Sequence, residues 1–356
     1  MRFNAAKLKS FTNDIMQKAG LDQDSSNIFA ESLVNADMRG ISSHGVTRLT
    51  AYSRRIRDGL VSKNTEIKIV QDSNSLLLID GQNGMGAVTA QRAMELCVER
   101  AEKNGCCFAA VRGGNHFGYA AFFTEYAASK GMIGIAIANG PAALAPLGGM
   151  KPLLGTNPIS ISVPANRHPM VLDMATSIVA RGKITLAKKE GRTIPDNWGV
   201  DVEGYPTNDP SKVYAMLPFG GAKGYAISLI TEILCSCLSG ALNGQTMGSF
   251  YDYTSTQQSG FFLGAFNVDS IIPIDIFKEN VDELFDSIKQ SPKAPGVSEI
   301  MIAGEIEFNN YEQASKEGVQ LSEAVVAELL ALSTEYGVPF ECEFSLPYEK
   351  ELLPAL

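Results

Sequence analysis

Helical periodicity at both ends of the chain brackets a long middle section of short strands alternating with helices, and that bracket restricts the fold most. Residues 5–20 and 23–39 read as helices. In the second, Ile28, Leu33, Val34 and Met38 can form one apolar stripe, and Gly40 stops it. Ser42 or Ser43 can cap a third helix running to about Asp58, before Gly59. The texture changes near residue 65. Strands are expected at 67–70, 76–79, 108–111, 133–138, 159–163 and 171–173, with helices at 91–103 and 119–129 between them. Helix returns at 224–242, strands at 261–268 and 300–303 flank a helix at 276–289, and 322–336 is helical again. The order predicts discontinuous domains: a helical domain from 1–70 and 311–356 and an α/β domain from 71–310, with the 224–242 segment packing on the helical domain.

A chain of 356 residues has room for two or three domains. Its 45% hydrophobic and 19% charged residues are ordinary for a globular protein. The formal charge of −9, with no basic run, is a poor match to nucleic acid, which needs clustered cations against its phosphates. The first residues, MRFNAAKLKSFTNDIMQKAG, hold no apolar core of signal-peptide length. The most apolar long stretch, 226–242, carries Glu232 and is shorter than the roughly 20 residues of a membrane span, so a buried core helix is expected there. Six cysteines without a CxxC pair point to reduced thiols and a cytoplasmic protein.

Only three histidines are present, with no HExxH and no CxxC, so no catalytic metal is expected. His44 lies in Ser42-Ser43-His44-Gly45-Val46-Thr47-Arg48, with Tyr52 following. Positions 44, 48 and 52 would share one helical face, joining an imidazole, a guanidinium and a phenol; Arg48 could hold a carboxylate through two parallel hydrogen bonds. The alternative is a surface helix whose i,i+4 residues are unrelated. His116 lies in Arg112-Gly113-Gly114-Asn115-His116-Phe117-Gly118, between a strand and a helix, where it suits acid/base work on an anion or simply satisfies loop backbone. His168, in Asn166-Arg167-His168-Pro169, reads as an exposed turn.

A Rossmann GxGxxG is missing: Gly81 to Gly86 has the wrong spacing. Gly220-Gly221-Ala222-Lys223-Gly224 lacks the Ser or Thr of a Walker A loop, but a glycine turn with a lysine at a helix start can still grip phosphate. Gly155-Thr156-Asn157-Pro158 is a polar turn in apolar surroundings. Asp173, in Asp173-Met174-Ala175-Thr176-Ser177, could orient a histidine or cap the following segment.

Six segments in order, ADMRGISSHGVTRL (36–49), GGNHFGYAAFFTEYAASKGMIGIAIAN (113–139), PLGGMKPLLGTNPIS (146–160), VLDMATS (171–177), IPDNWGVDVEGYPTNDP (194–210) and GGAKGYAISLITEIL (220–234), resemble the type 2 malate/L-lactate dehydrogenase family. Its members include malate, sulfolactate and ureidoglycolate dehydrogenases, 2,3-diketogulonate reductase and a cyclic imine reductase. The resemblance implies a non-Rossmann α/β (α+β) fold, with a largely antiparallel mixed-sheet domain, a helical domain and a homodimer. It implies NAD or NADP held by Asp173, Met174, Ala175, Lys223 and the Gly304-Glu305-Ile306 turn, and a small carboxylate substrate met by Arg48, Tyr52 and Thr156. Family members differ over whether the histidine corresponding to His44 or to His116 moves the proton; Asp173 would steady His44. Gly140 stands where the family often has Ser. Malate or lactate is the leading substrate, with ureidoglycolate, a cyclic imine or a keto-sugar acid as rivals and an inactive nucleotide-binding regulator as the non-enzyme alternative.

Overall fold

The computed structural model describes residues 1–342. The chain divides into two compact units, Met1–Gly59 with the described part of Glu305–Leu356, and Leu60–Gly304. The end of the expected helical domain, 343–356, lies outside the described residues. The helical unit opens with β1 (Arg2–Phe3), α1 (Ala5–Ala19), α2 (Gln23–Met38) and α3 (Leu49–Arg57). The α/β unit follows with β2 (Lys68–Asp72), β3 (Leu76–Asp80), α4 (Gly86–Asn104), β4 (Cys106–Gly114), α5 (Ala121–Ser129), β5 (Met132–Ala138), β6 (Ile159–Val163) and β7 (Met170–Met174). It continues with α6 (Arg181–Lys189), β8 (Gly199–Val200), β9 (Ala215–Met216), α7 (Ala222–Glu232), β10 (Ser259–Asn267) and α8 (Ile274–Lys289). The helical unit then resumes with α9 (Glu305–Glu317), β11 (Val319–Gln320) and α10 (Glu323–Tyr336).

In the helical unit, Asn4 and Asp22 cap α1 and α2 by accepting from the Lys7 and Ser25 amides at 3.0 and 2.9 Å. Phe3, Leu8, Phe11, Ile15, Phe29, Leu33, Leu49 and Ile56 are buried here. The early strand β1 and the late strand β11 pair antiparallel, Arg2 with Gln320 and Phe3 with Val319. Asn310 on α9 donates to the Arg39 carbonyl (3.1 Å), and the Arg39 guanidinium lies 4.7 Å from the Phe308 ring centre.

The α/β unit is built on a seven-stranded sheet in the order β2-β3-β4-β10-β5-β6-β7. Its pairs are antiparallel except β3 with β4, which α4 joins as a crossover. The sheet is thus mixed and largely antiparallel. Alternation along β10 buries Phe261, Leu263 and Ala265 and directs Phe262 and Phe266 to the other face, where both rings contact Phe108 of β4. A smaller apolar cluster gathers Leu144, Leu154, Val179, Ile184, Ile194 and Met216, with Tyr225 of α7 packed against it.

Three features differ from the sequence reading. The expected helix from Ser42 to Asp58 is instead two 3₁₀ turns, Ser42–His44 and Val46–Arg48, followed by α3. Gly45 between them is extended (φ −88°, ψ −154°), so positions 44, 48 and 52 do not share one continuous helix. Residues 300–303 form no strand; one hydrogen bond, from the Val171 amide to the Ala303 carbonyl (3.0 Å), lays them beside β7. Helices α6 and α9 add to those expected. Within the α/β unit, where the 224–242 segment was expected, α7 contacts β5 and a π-helical turn, Ile233–Cys237, packs on β4 and β10.

That segment also reverses the expectation of a buried apolar helix. Ser228, Thr231, Glu232, Ser236 and Ser239 face inward, while Leu229, Ile230, Ile233 and Leu238 are exposed. Among the described residues, no helix is long and apolar enough to cross a membrane.

Candidate functional site

In the helical unit, the double turn at 42–48 holds His44 and Arg48 together. The Arg48 Nε donates to the Ser43 carbonyl at 2.7 Å, and the Ser43 hydroxyl meets His44 Nδ1 at 2.9 Å. Burial, helped by the neighbouring Arg48 charge, lowers the His44 pKa to about 4, so the imidazole is neutral near pH 7. Tyr52 is buried, with its ring edge-on to Phe29 at 4.8 Å.

Sequence reasoning misses the residue that shapes this turn. Asp37, near the end of α2, accepts from the Val46 amide at 2.7 Å. Burial raises its pKa to about 7, against the lowering effect of that hydrogen bond. A side chain at Gly45 would fall on the Asp37 carboxylate, so glycine is required where the backbone crosses it. Asp37 stands within the 36–49 segment that carries the family resemblance, but its spacing from His44 does not say what it does; the folded turn does.

In the α/β unit, His116 follows the end of β4 and precedes α5, as its glycine-flanked position suggested. Its amide donates to Gln257 Oε1 (2.9 Å), and its ring lies 4.9 Å from that of Phe250. The preceding Asn115 is buried and donates from Nδ2 to the carbonyls of Asn83 and Gly84 at 3.1 and 2.9 Å. The turn rests against the first residue of α4: a Cβ on Gly86 would overlap the carbonyl oxygens of Asn115 and His116. His168 is exposed in the turn between β6 and β7.

Asp173, near the end of β7, accepts from the Ala121 amide at 2.8 Å and so caps α5, the helix that follows the His116 turn. It caps α5 rather than the segment following it in sequence. Met174 and Ala175 continue from it, half-buried. Thr176 then donates through its amide and hydroxyl to the Thr156 carbonyl at 2.8 and 3.0 Å, joining two of the candidate segments. At position 140, a Cβ would find its nearest neighbour, the Thr156 amide nitrogen, at 3.9 Å, so the missing hydroxyl leaves room rather than a tight contact.

Lys223 is exposed on the first turn of α7. Gly220 and Gly221 precede it at φ 55° and 62°, and added side chains there would meet nothing within 4 Å. Gly221 is the N-cap and has no side chain to occupy the first amides. Open glycines, uncapped amides and a lysine fit the phosphates of a nicotinamide dinucleotide. Gly304 turns the chain at φ 95° against Val171, while Glu305 and Ile306 begin α9 instead of completing a turn.

The family model described as malate/L-lactate dehydrogenase matches residues 3–330. The chain is 36% identical to the L-sulfolactate dehydrogenase of Methanothermobacter thermautotrophicus, over 96% of this chain and 99% of that protein. It is likewise 36% identical to a malate dehydrogenase of Pyrococcus abyssi, over 95% and 96%. Among solved structures, the sulfolactate dehydrogenase of Methanocaldococcus jannaschii superposes with a TM-score of 0.89 at 37% identity, covering 95% of this chain and 98% of that one.

Proposed function

Because the chain belongs to the malate/L-lactate dehydrogenase family and is an oxidoreductase of the CH–OH group, we propose that it interconverts a small 2-hydroxy acid and its 2-oxo acid with NAD or NADP. The observation that carries this reading is the 42–48 double turn, which sets a guanidinium beside a neutral imidazole. Arg48 pairs with the substrate carboxylate and fixes its orientation. Tyr52 and Thr156 line the substrate, and His116 exchanges the alcohol proton. His44, neutral near pH 7, donates its ring N–H to the substrate oxygen and polarises the carbonyl; a group with a pKa near 4 is poorly matched to proton transfer at neutral pH. Asp173 acts by holding α5 and hence the end of the His116 turn. When bound, the nicotinamide supplies or takes up the hydride. Asp173, Met174, Ala175, Lys223, Gly304, Glu305 and Ile306 are the residues assigned to the cofactor.

Malate is the first choice of substrate. Sulfolactate is the second, since relatives are named for both and each acid carries a further anionic group on the neighbouring carbon. The protein works as a cytoplasmic homodimer. A screen at 340 nm tests the function: NADH or NADPH with oxaloacetate, pyruvate and sulfopyruvate, then NAD or NADP with malate, lactate, sulfolactate and ureidoglycolate. Rapid turnover of one pair is expected, and His116→Ala should lower kcat on it by about 10²–10⁴-fold. Failure of the protein to bind either cofactor would rule the proposal out. Turnover abolished by His44→Ala but intact in His116→Ala reverses the histidine roles.

A further inference from the structure

Glu232 breaks the apolar run at 226–242, and the fold buries it at the end of α7. Its Oε1 accepts from Asn139 Nδ2 at 3.1 Å and from the Gly244 amide at 2.9 Å; its Oε2 accepts from Asn157 Nδ2 at 2.8 Å. The two asparagines are fully committed. Asn139 Oδ1 accepts from the Gly260 amide (2.9 Å), and its second Nδ2 hydrogen goes to the Leu242 carbonyl (2.9 Å). Asn157 Oδ1 accepts from the Gly140 amide (3.2 Å), and its second Nδ2 hydrogen goes to the Ser228 carbonyl (3.1 Å). Neither amide can flip without setting N–H against N–H. The position facing them must therefore accept through both of its oxygens, which a carboxylate does and a carboxamide cannot.

Two of the segments so joined carry residues assigned above to ligands, Thr156 and Lys223. Asn139 and Gly140 follow β5, Asn157 follows Thr156, and α7 carries Lys223 on its first turn. Asn157 itself is buried with φ at 37°, a left-handed conformation that this network holds in place. The packing is close throughout: a Cβ on Gly155 would overlap Asn157 Oδ1 and the Gly140 backbone, and one on Gly244 would lie 2.9 Å from the Leu153 carbonyl oxygen.

We propose that Glu232 is a positioning residue, an anionic clasp that fixes the 139–140 and 155–157 turns to the helix bearing Lys223 and so pre-forms the nicotinamide-binding wall. The proposal rests on the dehydrogenase reading for the identity of the ligand, though not for the existence of the clasp. The test uses the full chain as wild type, Glu232→Gln, Glu232→Asp and the double variant that combines Glu232→Gln with Asn157→Asp. Affinity for NADH and NADPH is read by fluorescence titration, and backbone order by hydrogen–deuterium exchange of peptides covering 139–142, 155–158 and 242–245.

Glu232→Gln sets one donor against another in either orientation of its amide. It should weaken cofactor binding by about tenfold, the equivalent of one unsatisfied buried polar group. Exchange should quicken in all three peptides, and cofactor KM should rise more than kcat falls. In the double variant the new carboxylate at position 157 accepts from the new carboxamide at position 232, and the Ser228 hydroxyl, 3.4 Å from the Asn157 Nδ2 that this carboxylate replaces, can turn to donate. Because the new carboxylate also faces the Ser228 carbonyl to which Asn157 Nδ2 donates at 3.1 Å, that variant should recover part of the affinity and slow exchange relative to Glu232→Gln. Wild-type affinity and exchange in a folded Glu232→Gln protein overturn the clasp, as does a double variant worse than the single one. Should Glu232→Gln not fold, Glu232→Asp, which withdraws the acceptor by one methylene, must show faster exchange in the same peptides; unchanged exchange overturns the proposal. A wild type that binds neither cofactor sinks the dehydrogenase reading instead, and exchange alone then decides the clasp.

Discussion

Two ionisable groups at the 42–48 turn, His44 within it and Asp37 on α2 against it, are displaced in opposite directions, and their consequences for stability are opposite too. Asp37 has a folded pKa near 7, above its ordinary 3.8. The folded state therefore holds a proton that the unfolded chain has lost, and the stability Asp37 contributes below pH 3.8 drains away as pH rises through 7. His44 has a folded pKa near 4, below its ordinary 6.5. Its contribution is complete above pH 6.5 and is lost as pH falls through 4. Between about pH 4 and 6.5 the two slopes oppose each other. Asp37→Asn keeps an acceptor for the Val46 amide but removes the acid, leaving the His44 slope uncompensated. Melting temperature plotted against pH should therefore climb more steeply from about pH 4 to 6.5 in the variant than in the wild type. Parallel curves would show that Asp37 ionises as it would in water.

At the level of elements, the His116 turn depends on how closely α4 approaches it. Gly86→Ala would press a methyl into the carbonyls of residues 115 and 116. Overpacking of this kind costs about 1–3 kcal/mol, and turnover should fall with it because the displaced backbone carries His116. Gly182, on α6, meets nothing within 4 Å and is the matched control: Ala there should stabilise slightly through helix propensity. Melting curves and kcat for the two variants make the comparison, and equal behaviour would remove the role given to Gly86. The same contrast explains what the sequence disclosed. Ile159-Ser160-Ile161-Ser162-Val163 alternates strictly, and β6 spans those residues. The capped helices α1 and α2 and the flanks of His116 were similarly legible, because local periodicity and glycine placement determine them. The break at Gly45 was hidden because a carboxylate on another helix causes it. Position 232 could be noticed as a charge in an apolar run, but its partners come from turns far away in sequence. Helix α7 misled for a related reason: hydrophobicity alone does not say which face turns inward, and here Ser228, Thr231 and Glu232 do.

For the whole molecule, that inverted helix leaves Leu229, Ile230, Ile233 and Leu238 exposed as a stripe, and we propose that a second copy of the chain covers it. Ile230→Asp places a charge in the stripe and should convert the dimer to monomer in light scattering without lowering the melting temperature of the isolated chain. A dimer that persists would place the interface elsewhere. The arrangement of the two units also bears on synthesis. Residues 1–59 find their remaining partners, β11 and the helices α9 and α10, only in sequence beyond residue 304. On the ribosome the first helices must therefore wait, with Phe3 and Phe11 lacking the Phe340 ring they pack against, while the whole α/β unit is translated and is free to fold ahead of them. The first segment to be made is thus among the last to be completed, and the turn carrying His44 and Arg48 matures with it. A nascent chain arrested before α9 would own a finished sheet and an unfinished helical unit, a state in which chaperones are its natural company.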